Sequence, residues 1–191
     1  MTSSTKQDLL ELGLKLLLKH GYADLGVATL LEQAGVPKGS FYHHFEGKED
    51  FALQAIDLYM EGVHAALDAA FTDDGHTPVE QIRRFFEMVS EGYKGDGYLG
   101  CLLGGLGQEL SGISPTFREK VEACFSVIAR RLEKALAVAK KRGELRDDLS
   151  PRALADLLVN CWEGAALRSR LRRSPSPLSQ MLDFYFAAVR P

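Results

Sequence analysis

Positive charge is what the sequence has least to spare. Its 191 residues carry 23 Lys and Arg against 26 Asp and Glu, a formal net charge of −3. Residues 1–50 are no richer, with five lysines (Lys6, Lys15, Lys19, Lys38, Lys48) against seven acids. This excludes binding of nucleic acid through bulk charge, so any contact with phosphates must rest on a local arrangement. Cysteine is equally sparse. Cys101, Cys124 and Cys161 are far apart and odd in number, and none belongs to a CxxC or Cys/His cluster. A zinc site and a disulfide framework are therefore not expected, and the thiols are expected to be reduced. No apolar run approaches the roughly 20 residues of a membrane span. Lys15 and Lys19 interrupt the leucine-rich stretch near the start, which argues against a signal peptide and for a cytoplasmic protein with no membrane partner. Catalytic signatures are missing as well: no GxSxG, no phosphate loop, no metal-ligand spacing, and histidines at 20, 43, 44, 64 and 76 in no catalytic constellation. The expectation is no enzyme, no catalytic residues, no metal and no cofactor.

What the chain does have is helical periodicity nearly throughout, on a 46% hydrophobic composition. The spacing predicts helices at 4–20, 28–34, 38–45, 48–71, 78–94, 101–110, 115–142, 151–171 and 177–189. Four Ser/Thr-Pro pairs, at 77, 114, 150 and 176, read as helix starts. The hydroxyl can accept an orphan backbone N–H, and proline at the next position loses no hydrogen bond. Thr77 and Glu80 have capping-box spacing besides. The segment ending in Lys140-Lys141-Arg142-Gly143 places cations at the negative end of a helix dipole and then a residue able to turn left-handed. The fold class is all-α.

Residues 28–34 and 38–45 are two short helices joined by Gly35-Val36-Pro37, the spacing of a helix-turn-helix. In the second, Phe41 and Phe45 are four apart and point inward, leaving Lys38, Gly39, Ser40, Tyr42, His43 and His44 outward or lateral. Gly39 lets backbone approach a phosphate closely. Tyr42, His43 and His44 are compact donors, and Lys48 opens the next helix, whose N-terminus also favours a phosphate. An isolated short helix with a wet polar face would mean little; one beside this turn in an all-α chain points to DNA.

Residues 35–50, GVPKGSFYHHFEGKED, resemble the recognition-helix signature of the TetR family, and the resemblance extends over residues 6–51. It implies a three-helix DNA-binding domain at 1–47, a helical effector-binding and dimerisation domain at 48–191, and a homodimer on palindromic double-stranded operator DNA. By matching position it implies that Lys38, Ser40 and His43 face the major groove, while Tyr42, His44 and Lys48 hold phosphates. One departure stands out. The family often has Thr or Ser capping the helix at 28–34 with a basic residue two positions later, where this chain has Gly26 and Ala28. Phosphate contacts from that helix are then expected from backbone alone.

The effector side is less explicit. Residues 98–110, YLGCLLGGLGQEL, and 162–171, WEGAALRSRL, resemble a branch of the family that regulates reactive-electrophile or short unsaturated-acid metabolism. Cys101 follows Gly100 at a predicted helix N-terminus, where the dipole would favour thiolate. It reads as a ligand-lining or redox-sensing thiol, or as a small buried hydrophobe. Cys124 and Cys161 read as core. Trp162 and Glu163, with small residues following, would line a pocket or else be packing plus a surface charge. Phe85, Phe86, Met88 and Tyr93 are expected to wall the cavity, Arg170 to neutralise an anionic effector or be solvated, and His64 is left open between pocket and surface. The expected effector contacts are thus Cys101, Trp162, Phe85, Tyr93 and Arg170, for a small molecule that the sequence does not name.

The helix at 151–171 is apolar on more than one face, and the last helix, with Met181, Leu182, Tyr185, Phe186 and Val189, carries a similar excess. Both need covering on two sides, which a two-fold four-helix interface would supply. The reading is a ligand-responsive transcription regulator, a repressor released from its operator by an effector. The alternatives are a helical carrier or sensor without DNA binding and, more remotely, a small all-α enzyme.

Overall fold

A computed structural model describes residues 3–95 and 97–191 of the chain. Among the described residues there are nine helices and no strands. They are α1 (Ser3–His20), α2 (Val27–Ala34), α3 (Lys38–His44), α4 (Lys48–Phe71), α5 (Pro78–Gly95), α6 (Leu102–Leu110), α7 (Pro115–Lys141), α8 (Pro151–Arg172) and α9 (Ser176–Val189). No helix among these residues is long and apolar enough to cross a membrane.

Local chemistry accounts for most of the boundaries. At α5 the capping box forms in both directions: the Thr77 N–H donates to Glu80 at 2.9 Å, and the Glu80 N–H to Thr77 Oγ1 at 3.4 Å. Ser114 Oγ accepts from the Phe117 N–H at the start of α7, and Ser150 Oγ from Ala153 at the start of α8. The fourth expected cap is one step off. Helix α9 begins at Ser176 itself, and the hydroxyl of Ser174 accepts the Ser176 N–H at 3.3 Å. The run Ser174-Pro175-Ser176-Pro177 holds two overlapping start signals, and the earlier serine is the one that takes the backbone donor. At the far end of α7, Gly143 adopts φ +72° and the Glu144 N–H returns to the Ala139 carbonyl.

Two hydrophobic clusters fill the molecule. One gathers α1–α3 with the first half of α4 and buries Leu9, Leu10, Leu30, Phe41, Phe45 and Phe51; Leu14 packs at its edge. It runs on into α6 and the start of α7 through Leu102, Leu106 and Phe117. The other packs the second half of α4 with α5, α7, α8 and α9. Helices α7 and α8 lie along each other, α9 covers α8, and the buried Tyr185 hydroxyl fastens the last pair by donating to the Leu154 carbonyl at 2.9 Å. Because α4 belongs to both clusters, the N-terminal helices and the larger bundle share one continuous helix.

Candidate functional site

Two places stand out, one beside the first turn of α4 and one along its middle. The first is α3. Gly35 caps α2 in the left-handed region at φ +68°, its N–H reaching the Glu32 carbonyl while the Val36 N–H reaches Leu31, and this closes α2 in a single turn. Pro37, extended at φ −71°, then opens α3, and the Ser40 N–H bonds to its carbonyl. Phe41 is 0% exposed and stacks against Phe45 and Phe51, with ring centroids 5.1 and 5.5 Å away. With that residue pinned, the rest of the seven-residue helix turns outward. Tyr42 is 57% exposed, Lys38, Gly39 and His43 are exposed, and Ser40 and His44 are half-buried. The Lys38 ammonium lies 6.0 Å from the Tyr42 ring centroid.

Lys48 comes from the first turn of α4. Its Nζ donates to the Ala23 carbonyl at 3.2 Å and sits 4.5 Å over the Tyr22 ring, at the corner between α1 and α2. The same corner is held from the other side by Glu109 of α6, whose carboxylate accepts from the Tyr22 N–H at 2.8 Å and the Ala23 N–H at 2.5 Å. Phe117 of α7 meets the Tyr22 ring edge-on. The sequence reading missed this grip, and nothing local in the sequence announces a carboxylate on α6 serving a turn in α1–α2. The N-cap of α2 is Gly26 with no side-chain cap, as expected from its lack of a hydroxyl.

The second place is an apolar cavity of about 420 Å³ walled by α4, α5, α7 and α8 and bordered by Leu14, Cys101 and Leu103. Four of the predicted effector residues, Phe85, Tyr93, Cys101 and Trp162, meet on its wall with Phe86. Phe86 and Tyr93 pack on Trp162, centroids 4.7 and 5.9 Å away. Two expectations fail here, those for Met88 and Arg170, and His64, left open, falls on the outside. Met88 is 50% exposed on the outer side of α5, because the buried face runs through Ile82, Phe85, Phe86 and Tyr93. His64 does not reach the wall. Arg170 lies apart from the cavity, in an adjoining polar cleft of about 450 Å³ with His20, Gln108 and Glu109. Cys101 and Glu163 touch both spaces.

The polar groups of the cavity form one cluster. Cys101 is the N-cap of α6, its sulfur 4.0 Å from the Tyr59 hydroxyl and facing the Glu163 carboxylate. Of the two readings of Cys101, the surroundings favour a buried thiol over a thiolate. Burial first, and then the charge of Glu163, push the thiol up to about 12, outweighing the N–H groups of Leu103 and Gly104 at the helix start. Burial likewise raises Glu163 to about 7 and lifts the hydroxyls of Tyr59 and Tyr93 well above their ordinary value. Glu163 occupies the space beside Gly104, where a Cβ would collide with its carboxylate. Tyr59 and Glu163 are the site residues that the sequence reading did not commit to.

Residues 9–55 match the family described as bacterial regulatory proteins, tetR family, and residues 78–185 match the tetracyclin repressor-like C-terminal domain. The transcriptional regulator AcuR of Cereibacter sphaeroides is 40% identical over 92% of this chain and 81% of its own length. The HTH-type transcriptional repressor DhaR of a Mycobacterium species is 33% identical over 97% of this chain and 92% of its own. Among solved structures, a regulatory protein TetR from Rhodobacter sphaeroides superposes with a TM-score of 0.91 at 38% identity, covering 96% of this chain and 97% of that one.

Proposed function

This chain belongs to the TetR family of ligand-responsive, DNA-binding transcriptional regulators, and on that premise we propose that α3 reads a palindromic operator and that the apolar cavity receives the effector. The outward polar face of α3, turned out by the burial of Phe41 and Phe45, carries the first half of the reading. Lys38, Ser40 and His43 contact base edges, Gly39 brings backbone close to the duplex, and Tyr42, His44 and Lys48 fix the phosphates. The reading head is residues 1–47 and the sensor residues 48–191, with the protein acting as a cytoplasmic repressor. A repressor fits the relative DhaR, which is named as one.

The second half follows from apolar residues that α8 and α9 leave in water, among them Leu157 at 50% and Phe184 at 77% exposed. A second copy would cover them and set two α3 helices against successive major grooves, about 34–36 Å apart. An effector in the cavity, against Phe85, Tyr93, Cys101 and Trp162, favours a dimer whose spacing no longer fits. DNA must then weaken effector binding by the same factor.

Selection of duplexes from a randomised pool tests the reading face. The parent protein should retain a palindrome, lose it with added salt, and change its preferred base pairs on Ser40→Ala or His43→Ala. The same site selected by both variants would move the reading face away from α3.

A further inference from the structure

Among the described residues, the cavity wall contains six aromatic rings from α4, α5, α7 and α8, a carboxylate, and no Lys, Arg or His. Arg170 is two turns from Glu163 along α8, roughly 10 Å of helix rise, and opens to the other cleft. The N–H groups of Leu103 and Gly104 at the α6 start, the natural seat for an anion, are already faced by the Cys101 sulfur. The Tyr59 hydroxyl is turned to that same sulfur and Tyr93 to Trp162. An anionic ligand would therefore lose its hydration, meet no cation, and lie beside a carboxylate. A ligand with a hydrogen-bond donor would find an acceptor waiting in Glu163.

We infer that the effector of this cavity is an uncharged molecule with an apolar body and a hydrogen-bond donor, such as a primary amide or alcohol, seated on Glu163, and that carboxylates and phosphates are rejected. This rests on the proposal that the cavity is the effector site. At about 420 Å³ the cavity lies at the small end of ligand pockets, which run from roughly 300 to 1,000 Å³. The Gly104 position belongs to the same design: any side chain there would displace the carboxylate that selects the ligand.

Trp162 is the one tryptophan of the chain and stands on the cavity wall, so its fluorescence reports occupancy without DNA. The full-length protein at pH 8 is titrated with hexanamide, hexanoate and hexylamine, which share one apolar chain and differ only in the head group. Hexanamide should bind at least tenfold more tightly than hexanoate, and Glu163→Gln should shrink that ratio below threefold by relieving the repulsion. Equal affinities for amide and carboxylate in the parent protein would overturn the inference while leaving the cavity as the effector site. Hexylamine binding tenfold more tightly than hexanamide would also overturn it, by making Glu163 the counter-ion of a cation. No fluorescence response to any of the three would overturn the cavity reading and the inference together. Gly104→Ala supplies a second check: it should weaken hexanamide and leave the protein folded by circular dichroism, and unchanged hexanamide binding would count against a seat on Glu163.

Discussion

In α3 the apolar side chains lie behind and the polar ones in front; around the cavity the arrangement is inverted, with aromatic rings facing the space and Tyr59, Cys101 and Glu163 set among them. The consequence is electrostatic. Lys38, Tyr42 and His43 keep their water until a duplex displaces it, so their contacts are salt-sensitive and individually modest. Cys101 and Glu163 are partly withdrawn from theirs, and this burial pushes the thiol up to about 12 and the carboxyl to about 7. One region reads by long-range charge and exposed donors, the other by exclusion. Between them runs α6, with Cys101 at its start in the cavity and Glu109 near its end on the α1–α2 corner that also holds Lys48.

The comparison holds only if both regions act within a dimer, and breaking the dimer should have the largest effect. Leu157→Glu together with Phe184→Glu puts charge on one exposed apolar position of each of α8 and α9. Sedimentation should show a monomer, and operator affinity should fall by about 100-fold or more, since one half-site no longer helps hold the other. Trp162 should still report ligand, because the cavity lies within one chain. A dimer that survives both substitutions would place the interface elsewhere.

Cutting the link should separate the regions without disabling either. In Glu109→Ala the N–H groups of Tyr22 and Ala23 lose their acceptor and turn to water. Couplings between sites commonly amount to about 5–150-fold in affinity. Ligand-induced loss of DNA affinity in this variant should drop to a few-fold, with ligand binding to the free protein unchanged. Full ligand response in the variant would show that the signal bypasses this corner. Smaller again is Lys48→Ala, which should weaken all duplexes alike and lower the salt slope by roughly one unit, as expected for one phosphate contact. A slope equal to the parent's would confine Lys48 to its bond with Ala23 and its seat over Tyr22.

How much of this could be read from residues alone depended on the range of the cause. Thr77, Ser114 and Ser150 cap helices within three residues of themselves, so those starts were plain, and all nine helices were found with boundaries within about two residues. The start of α9 was misplaced because Ser174 and Ser176 both precede a proline and only the backbone decides between them. The inward turn of Phe41 and Phe45 followed from their spacing on one short helix. The carboxylate of Glu163 takes up space left by the missing Cβ of Gly104 on another helix, and Glu109 serves a corner far away in the chain. No periodicity carries such information. The two readings of Cys101 stayed open for a related reason: the helix start is local, but the burial and the carboxylate that outweigh it come from other helices.

The smallest effect concerns the cost of keeping an acid in the cavity. Glu163 stands at about 7 folded against an ordinary 4.5, so the folded protein holds its proton more firmly than the unfolded chain does. The stability contributed by that proton is fully present below about pH 4.5. It is lost as the pH rises toward 7, where the folded carboxyl also ionises, and beyond that the loss is constant. The full interval would correspond to about 3 kcal/mol, at about 1.4 kcal/mol per unit; with Glu163 only half-buried, about 1–2 kcal/mol is the better expectation. Glu163→Gln keeps the shape and removes the ionisation. At pH 8 it should therefore melt about 2–8 °C above the parent, using the ~2–4 °C per kcal/mol usual for domains of this size. At pH 5 most of the interval has yet to be crossed, and the gain should shrink to about a quarter. A gain of equal size at both pH values would mean that the substitution repacks the cavity and that its ionisation is not at issue. No gain at pH 8 would mean that the carboxylate is hydrated through the polar cleft it shares with Arg170, and the contrast between an exposed reading face and a dry sensing one would lose its sharpest element.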